Sequence, residues 1–386
     1  MSRISREEIG KIQMVDLHTQ YKNIKEDVDK GIQEVIDSCA FINGPAVKSF
    51  AKELATYNNV NHAVPCANGT DALQVAMMAV GLKPGDEVLV PVHTYVATAE
   101  VIALLQLDPV FVDVDPELFT IDVKQMESKI TSKTKAIVPV HLYGQCADME
   151  AIMKIANKHN LFVIEDTAQA IGAEYTFSDG SVKKAGTIGH IGCTSFFPSK
   201  NLGCYGDGGA MLINDEKLAN TARMIASHGQ SIKYHHDIVG CNSRLDTLQA
   251  AVLRVKLPHL DTYNKNRQKV ANKYNKAFAQ VQEIETPQNA ENSTHVYHQY
   301  TLKVNNVDRD QLKEKLQEKG VPSMIYYPVP LHFQKAYCKS EFNEGSFPVT
   351  EQLSKVVLSL PIHTEMQENQ QDYIIQSVLE SINELA

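Results

Sequence analysis

Of the 386 residues, 37 are Lys or Arg and 46 are Asp or Glu, which leaves a formal net charge of −9. Hydrophobic residues at 43% and charged residues at 22% describe a globular chain long enough for more than one core, and exclude a disordered one. The acidic balance disfavours non-specific nucleic-acid binding, and no apolar run approaches the ~20 residues of a membrane-spanning helix.

Along the chain, residues 1–8 lack the apolar core of a secretory signal. The seven cysteines are odd in number, widely spaced and without a C-x-x-C pair. They read as free thiols in a reducing, cytoplasmic setting, with neither disulfides nor a metal site. Residues 87–91, 110–115, 136–142, 161–166, 194–197 and 210–213 read as short strands, apolar on both faces as in a sheet covered on two sides. Helical patterns at 71–80 and 148–159 lie between them. This alternation predicts an α/β layer with a mostly parallel sheet. Residues 243–257 predict a helix interrupted at Pro258, and 263–281 a second helix. Mixed elements follow: a strand at 299–304, a helix at 308–319 and a Pro- and Tyr-rich loop at 326–331. The expected division is a large domain over 1–256 and a smaller α+β domain over 257–386.

In open α/β sheets, ligands gather where strands end. At Ala67-Asn68-Gly69-Thr70-Asp71, Gly69 lets the backbone approach a ligand, and Thr70 or Asp71 is expected to cap the next helix. Such a terminus either attracts a phosphate or is a plain turn. Asp166, directly after an apolar strand, either holds a cationic ring nitrogen or caps a helix. Lys200 follows another strand in Ser195-Phe196-Phe197-Pro198-Ser199-Lys200. A lysine in an apolar setting can form a Schiff base with a carbonyl, although most lysines are solvated surface groups. The glycine-rich run 203–209 does not end in G-K-[ST] before a helix and is no P-loop. Tyr95 after the 87–91 strand either stacks on a flat cofactor or is a core ring. Asn242 and Ser243 read as helix caps, which puts Arg244 in a first turn. The helix dipole disfavours a cation there, so Arg244 has either an anionic partner or a surface ion pair.

Taken together, Gly69-Thr70-Asp71-Ala72, Glu165-Asp166-x-Ala168-Gln169, Ser195-Phe196-x-Pro198-x-Lys200 and Asn242-x-Arg244-Leu245-Asp246 resemble one family over nearly the whole chain. It is the DegT/DnrJ/EryC1/StrS group of sugar-nucleotide aminotransferases, which depend on pyridoxal 5'-phosphate. The resemblance implies the fold-type I, aspartate aminotransferase-like fold and a homodimer with shared sites. It implies that Lys200 carries the cofactor on its amine and that Asp166 pairs with the pyridine nitrogen. Gln169 would lie against the ring and Tyr95 would stack on its face. Gly69, Thr70 and Ser195 would bind the phosphate, reached by Asn242 from the partner subunit.

The segments 196–210, 141–148 and 228–236 resemble a branch that aminates C3 of UDP-2-acetamido-2-deoxy-3-keto-glucuronic acid from glutamate, for bacterial surface polysaccharide of the lipopolysaccharide O-antigen type. Arg244 suits that branch, because substrate and donor both carry carboxylates. The branch often has His-Tyr-Pro where this chain has Tyr326-Tyr327-Pro328, and Asn where it has His332. Tyr326, Tyr327 and His332 are expected to face the substrate. The alternative within the family is amination of C4 in a nucleotide-linked 4-keto-6-deoxy hexose.

Overall fold

The computed structural model describes residues 9–386, so the reading of the first eight residues lies outside the described residues. Its strands are β1 (His62–Cys66), β2 (Glu87–Pro91), β3 (Asp108–Val112), β4 (Thr134–Ile137), β5 (Phe162–Asp166), β6 (Glu174–Thr176), β7 (Val182–Lys184), β8 (Ile191–Ser195), β9 (Gly209–Ile213), β10 (Gln230–Ile232), β11 (His235–His236), β12 (Ile284–Glu285), β13 (Tyr300–Val304) and β14 (Val357–Leu360). The helices are α1 (Leu17–Asn23), α2 (Lys25–Ser38), α3 (Pro45–Asn58), α4 (Gly69–Ala79), α5 (Ala97–Leu104), α6 (Val123–Met126), α7 (Met149–His159), α8 (Glu216–Ala226), α9 (Thr247–Lys256), α10 (Leu260–Phe278), α11 (Arg309–Glu318), α12 (Pro348–Val356) and α13 (Glu368–Leu385).

Seven strands form the main sheet in the order β1-β9-β8-β5-β4-β2-β3. The run from β8 to β3 is parallel, while β9 is antiparallel to both β8 and β1. One face of the sheet packs on α4, α5 and α8 through a cluster including Val75, Ile102, Ile164 and Ile225. The opposite face meets α7 through Ile152 and Ala156, and meets α3 and α9 through Phe50, Leu54 and Leu253. Covered on both sides, β5 is apolar over residues 162–164 and turns polar only at its carboxyl end, at Glu165 and Asp166. A second core joins α10, α11 and α13 to the antiparallel sheet β12-β13-β14, and Ile9 and Ile12 pack into it.

Several boundaries depart from the sequence reading, each for a local reason. The strand read at 136–142 stops at Ile137, and the Pro139 carbonyl instead accepts the Asp166 amide at 2.9 Å. Strand β1 was not anticipated. It carries Pro65 on the sheet's edge, the position where a missing amide is tolerated. The helix at 69–79 is capped by Asn68, whose side chain accepts the Asp71 amide at 2.8 Å, and not by Thr70 or Asp71. The helix expected from Ser243 begins only at Thr247. Residues 242–246 are held extended, because Ser243 Oγ accepts the Ala67 amide at 3.1 Å and the Thr247 amide reaches the Phe41 carbonyl at 3.0 Å. Arg244 therefore lies outside the helix, and the dipole argument for its partner does not apply.

One buried carboxylate joins the two cores. Asp113, just beyond β3, accepts the Val349 amide at 2.9 Å, the Thr350 amide at 3.0 Å and the Thr350 hydroxyl at 2.7 Å. It serves as a remote cap for α12, where a negative charge also meets the positive end of the helix dipole. Asp113→Ala leaves these three donors, and the Val114 amide that reaches Oδ1 at 3.0 Å, without their acceptor. It is expected to cost about 2–4 kcal/mol and to lower the thermal midpoint clearly, as followed by circular dichroism.

Candidate active site

Strands β1, β2, β5 and β8 run the same way, so their carboxyl ends open on one edge of the sheet. Asp166 is the last residue of β5 and Ser195 the last of β8, and Lys200 sits on the turn that follows. Gly69 begins α4 directly after β1, and Tyr95 follows β2. No helix starts at Asp166, which removes the cap reading for this carboxylate.

The carboxylate is nearly enclosed. Asp166 Oδ2 accepts the Thr98 hydroxyl at 2.9 Å and Oδ1 accepts the Ala168 amide at 3.2 Å. Burial raises its pKa, while these donors and the charge on Lys200 pull the other way. For Lys200 the effects reverse: burial lowers its pKa to about 8, opposed by the Asp166 charge. The amine is thereby poised close to neutrality, which nucleophilic and proton-transfer chemistry requires. Behind Asp166 lies a fully buried pair, His141 Nε2 to Glu165 Oε2 at 2.9 Å. His141 Nδ1 accepts the Ala147 amide at 3.1 Å, so Nε2 carries the hydrogen and donates it to Glu165. Glu165 also accepts the Gly186, Ile188 and Gly189 amides, which pins the end of β5.

Gly69 lies hard against Ser195: a Cβ on Gly69 would come within 2.7 Å of Ser195 Cβ and 3.2 Å of its Oγ. This close approach sets the open amides of a helix N-terminus beside a hydroxyl. Tyr95 is 57% exposed, so it is no core ring, and its centroid is 6.1 Å from that of Tyr327. Gln169 Oε1 accepts the Tyr143 amide at 2.7 Å, and its Nε2 donates to the Tyr327 hydroxyl at 3.3 Å. Asp166, Lys200, Gln169, Tyr95 and Tyr327 thus share one neighbourhood. Tyr326, beside Tyr327, accepts on its carbonyl a hydrogen bond from the Tyr143 hydroxyl.

Other expected residues are placed differently. Asn242 is exposed, and Arg244 has no hydrogen bond or ion pair among the described residues. Their segment is tied near Gly69 through the Ser243 hydroxyl, which accepts the Ala67 amide, and through Cys241, which packs on the cluster holding Cys66 and Ala72. His332 does not face the substrate region. It is fully buried, with Nε2 3.2 Å from Glu351 Oε1 and its ring against Phe347, and it belongs to the packing under α12.

The structure also adds residues that sequence reasoning missed. Thr98 is the second residue of α5, where a Thr carries no signal of its own. His298 is buried, its Nδ1 has no partner, and burial with the charges of Lys200 and Arg267 holds its pKa well below the ordinary value. Its approach to Lys200 joins residues nearly a hundred positions apart, so sequence spacing alone could not reveal it. Among the described residues, no group of three or more His, Cys, Asp or Glu could hold a metal ion, and no helix is long and apolar enough to cross a membrane.

Comparison with known proteins agrees with this geometry. The model of the DegT/DnrJ/EryC1/StrS aminotransferase family matches residues 22–379. A "UDP-2-acetamido-2-deoxy-3-oxo-D-glucuronate aminotransferase" of Pseudomonas aeruginosa is 47% identical, over 91% of this chain and 95% of its own. A "pleiotropic regulatory protein" of Geobacillus stearothermophilus is 45% identical, over 96% of this chain and 98% of its own. Among solved structures, DesV of S. venezuelae in complex with a ketimine intermediate superposes with a TM-score of 0.92 at 39% identity, covering 96% of this chain and 98% of that one. The Bacillus subtilis NtdA structure with bound cofactor PMP gives 0.90 at 32% identity, covering 99% and 87%. With the family model spanning most of its length and the carboxylate–lysine arrangement in place, the chain belongs to the DegT/DnrJ/EryC1/StrS aminotransferase family.

Proposed function

We propose that this enzyme transfers an amino group from glutamate to a keto carbon of a nucleotide-linked sugar, with C3 of UDP-2-acetamido-2-deoxy-3-keto-glucuronic acid as the acceptor. The observation that carries the reading is the desolvated Lys200 amine sharing the sheet edge with buried Asp166. The named aminotransferase relative supports the acceptor.

The residues present fit pyridoxal 5'-phosphate. Lys200 offers a near-neutral amine for its aldehyde, and the Gly69–Ser195 contact with the Thr70 turn offers an anion cradle that a Cβ would fill. Tyr95 offers a free ring face, and Asp166 a carboxylate for the ring nitrogen. When bound, the cofactor supplies the electron sink that stabilises charge left by loss of a proton from carbon. The protein does the rest. Asp166, in its ionised form, holds the ring nitrogen protonated, and Thr98 and Ala168 orient the carboxylate. Gln169 is locked by Tyr143 on one side and meets Tyr327 on the other. Lys200 in its neutral form takes the α-proton of the amino donor at Nζ and carries it for redelivery, a role worth about 10²–10⁴-fold. Use of one lysine in both halves makes the kinetics ping-pong.

Arg244, which has no hydrogen bond or ion pair among the described residues, serves the substrate carboxylates. The large unit is residues 1–256 and the small unit 257–386, with Ile9 and Ile12 of the first packing into the core of the second. The working form is a homodimer, for which Asn242 and Arg244 serve a partner's site. The hairpin of β10 and β11 supports this, because Ile232, Tyr234 and Val239 on and beside it are left apolar and exposed. Such a chain works in the cytoplasm, where nucleotide sugars are made, and its product feeds surface polysaccharide of the O-antigen type.

Three outcomes test this reading. In the cofactor-free protein, acylation of Lys200 followed by peptide mapping is expected to reach half its maximal rate near pH 8, instead of near the 10.5 of a solvated lysine, because the amine is free above its pKa. Lys200→Ala is expected to lose the visible absorption of the bound cofactor and to drop turnover by at least ~10³-fold; wild-type turnover in that variant would remove the assignment. Arg244→Ala is expected to reduce kcat/KM for the uronic acid by about 10- to 100-fold more than for a neutral 4-keto-6-deoxy hexose nucleotide. Equal losses would remove the carboxylate role.

A further inference from the structure

Tyr143 enters the reading above only through its backbone amide on Gln169, which leaves its side chain without a role. It is a bulky residue with φ at +60°, in the left-handed region where non-glycine residues are uncommon. Such outliers persist where the surroundings over-determine them, and they cluster at functional sites. Here the next residue, Gly144 with φ at +121°, presses on the chain at 295–299: a Cβ there would lie 2.8 Å from the Tyr297 nitrogen and 2.9 Å from that of His298. The Tyr143 amide donates to Gln169 Oε1 at 2.7 Å, and its carbonyl accepts the Gln299 amide at 3.3 Å. Its hydroxyl donates to the Tyr326 carbonyl and lies 3.1 Å from His93 Nε2.

The protons in this chain can be counted. A carbonyl oxygen only accepts, so the single hydroxyl proton of Tyr143 goes to Tyr326. His93 Nε2 must then carry the hydrogen that it donates to the Tyr143 oxygen. Burial pushes the His93 pKa down to about 4, so this imidazole is neutral and its one hydrogen sits on Nε2. The order is fixed: His93 donates to Tyr143, and Tyr143 donates to the backbone of the loop at 326–331. That loop carries Tyr327, whose hydroxyl faces Gln169. His93 follows β2 and Tyr143 follows β4, so both stand at the sheet, whereas Tyr326 and Tyr327 come from a loop some 180 residues later that packs on the same small cluster as Tyr143.

We propose that Tyr143, supported by His93, is a positioning residue for the keto-sugar half of the reaction, holding the Tyr326–Tyr327 segment against the sheet so that the nucleotide sugar meets a preformed wall. This rests on the sugar-nucleotide reading above. Glutamate is small and depends on Lys200, Asp166 and Gln169. The sugar nucleotide extends further and depends on the loop as well. The backbone bonds of Tyr143 hold Gln169 whatever the side chain, and a Phe in its place keeps the ring contacts with His93 and Phe119. Tyr143→Phe therefore removes the hydroxyl alone, and with it the donor to the loop and the acceptor for His93 Nε2.

The test uses holoenzyme in single turnover, with glutamate in one half and UDP-2-acetamido-2-deoxy-3-keto-glucuronic acid in the other. Calorimetric affinity for the UDP-linked 3-amino sugar and a thermal melt accompany it. Tyr143→Phe is expected to raise the half-saturating keto-sugar concentration and the calorimetric Kd by about 10- to 100-fold, while amine uptake from glutamate stays within about 3-fold of wild type. His93→Leu is expected to match it, and His93→Gln, which keeps a side-chain N–H donor, to restore most of the affinity. The double variant Tyr143→Phe/His93→Leu is expected to be no worse than Tyr143→Phe alone, since both cut one chain. Equal losses in the two halves, an unchanged Kd in Tyr143→Phe, or His93→Gln no better than His93→Leu would overturn the proposal. If wild-type enzyme takes the amine from glutamate but shows no affinity for the UDP sugar, the sugar-nucleotide reading falls with it. Wild-type binding with an unaffected Tyr143→Phe variant overturns this proposal alone.

Discussion

The chemistry of this protein depends on taking one amine and one carboxylate out of water together at the end of a parallel sheet. Burial lowers the pKa of Lys200 and raises that of Asp166, and the charge of each opposes the shift of the other. Neither group could be tuned this way on an open surface, where water screens both effects. The sheet provides the enclosure. β5 and β8 are buried on both faces, and their ends deliver the two groups to the same edge without a long loop between sheet and site.

Support behind that edge is as specific as the edge itself. Glu165 collects three backbone amides and a neutral histidine, so the strand end carrying Asp166 cannot shift without leaving buried donors unpaired. Asp113 does the equivalent for the junction between the two cores by capping α12 from a distance. Tyr143 connects both regions, binding Gln169 on the sheet side and Tyr326 on the loop side. Catalytic groups held by their own secondary structure and by buried networks keep their geometry while substrates of different size come and go.

Much of this was legible in the sequence, and what was legible has a physical pattern. Lys200, Asp166 and Gly69 stand just after apolar runs or beside a breaker, so local pattern marked them, whereas Gln169 entered only through the family resemblance. The parallel sheet was legible because doubly covered strands such as β5 are apolar up to their carboxyl ends. Strand β1 was not, because an edge strand tolerates Pro65 and loses the usual signature. The α9 boundary was misread because Ser243, a good cap residue, spends its hydroxyl on the Ala67 amide and its own amide on the Ala226 carbonyl. His332 looked like a site residue by its place in a motif, but its imidazole is spent on Glu351. His93, Tyr143 and His298 escaped notice because their partners lie 50 to nearly 190 residues away in the chain, and spacing rules do not reach that far.

The Geobacillus relative carries a regulatory name, whereas the lysine, carboxylate and glutamine expected of a transaminase are all present here, so the imine proposed for Lys200 is the point on which the protein's role turns. Borohydride reduction of the cofactor-loaded protein, followed by proteolysis and mass mapping, addresses it most directly. A pyridoxyl group on the peptide containing Lys200 is the predicted result. The same mass on any other lysine, or on none, would contradict it.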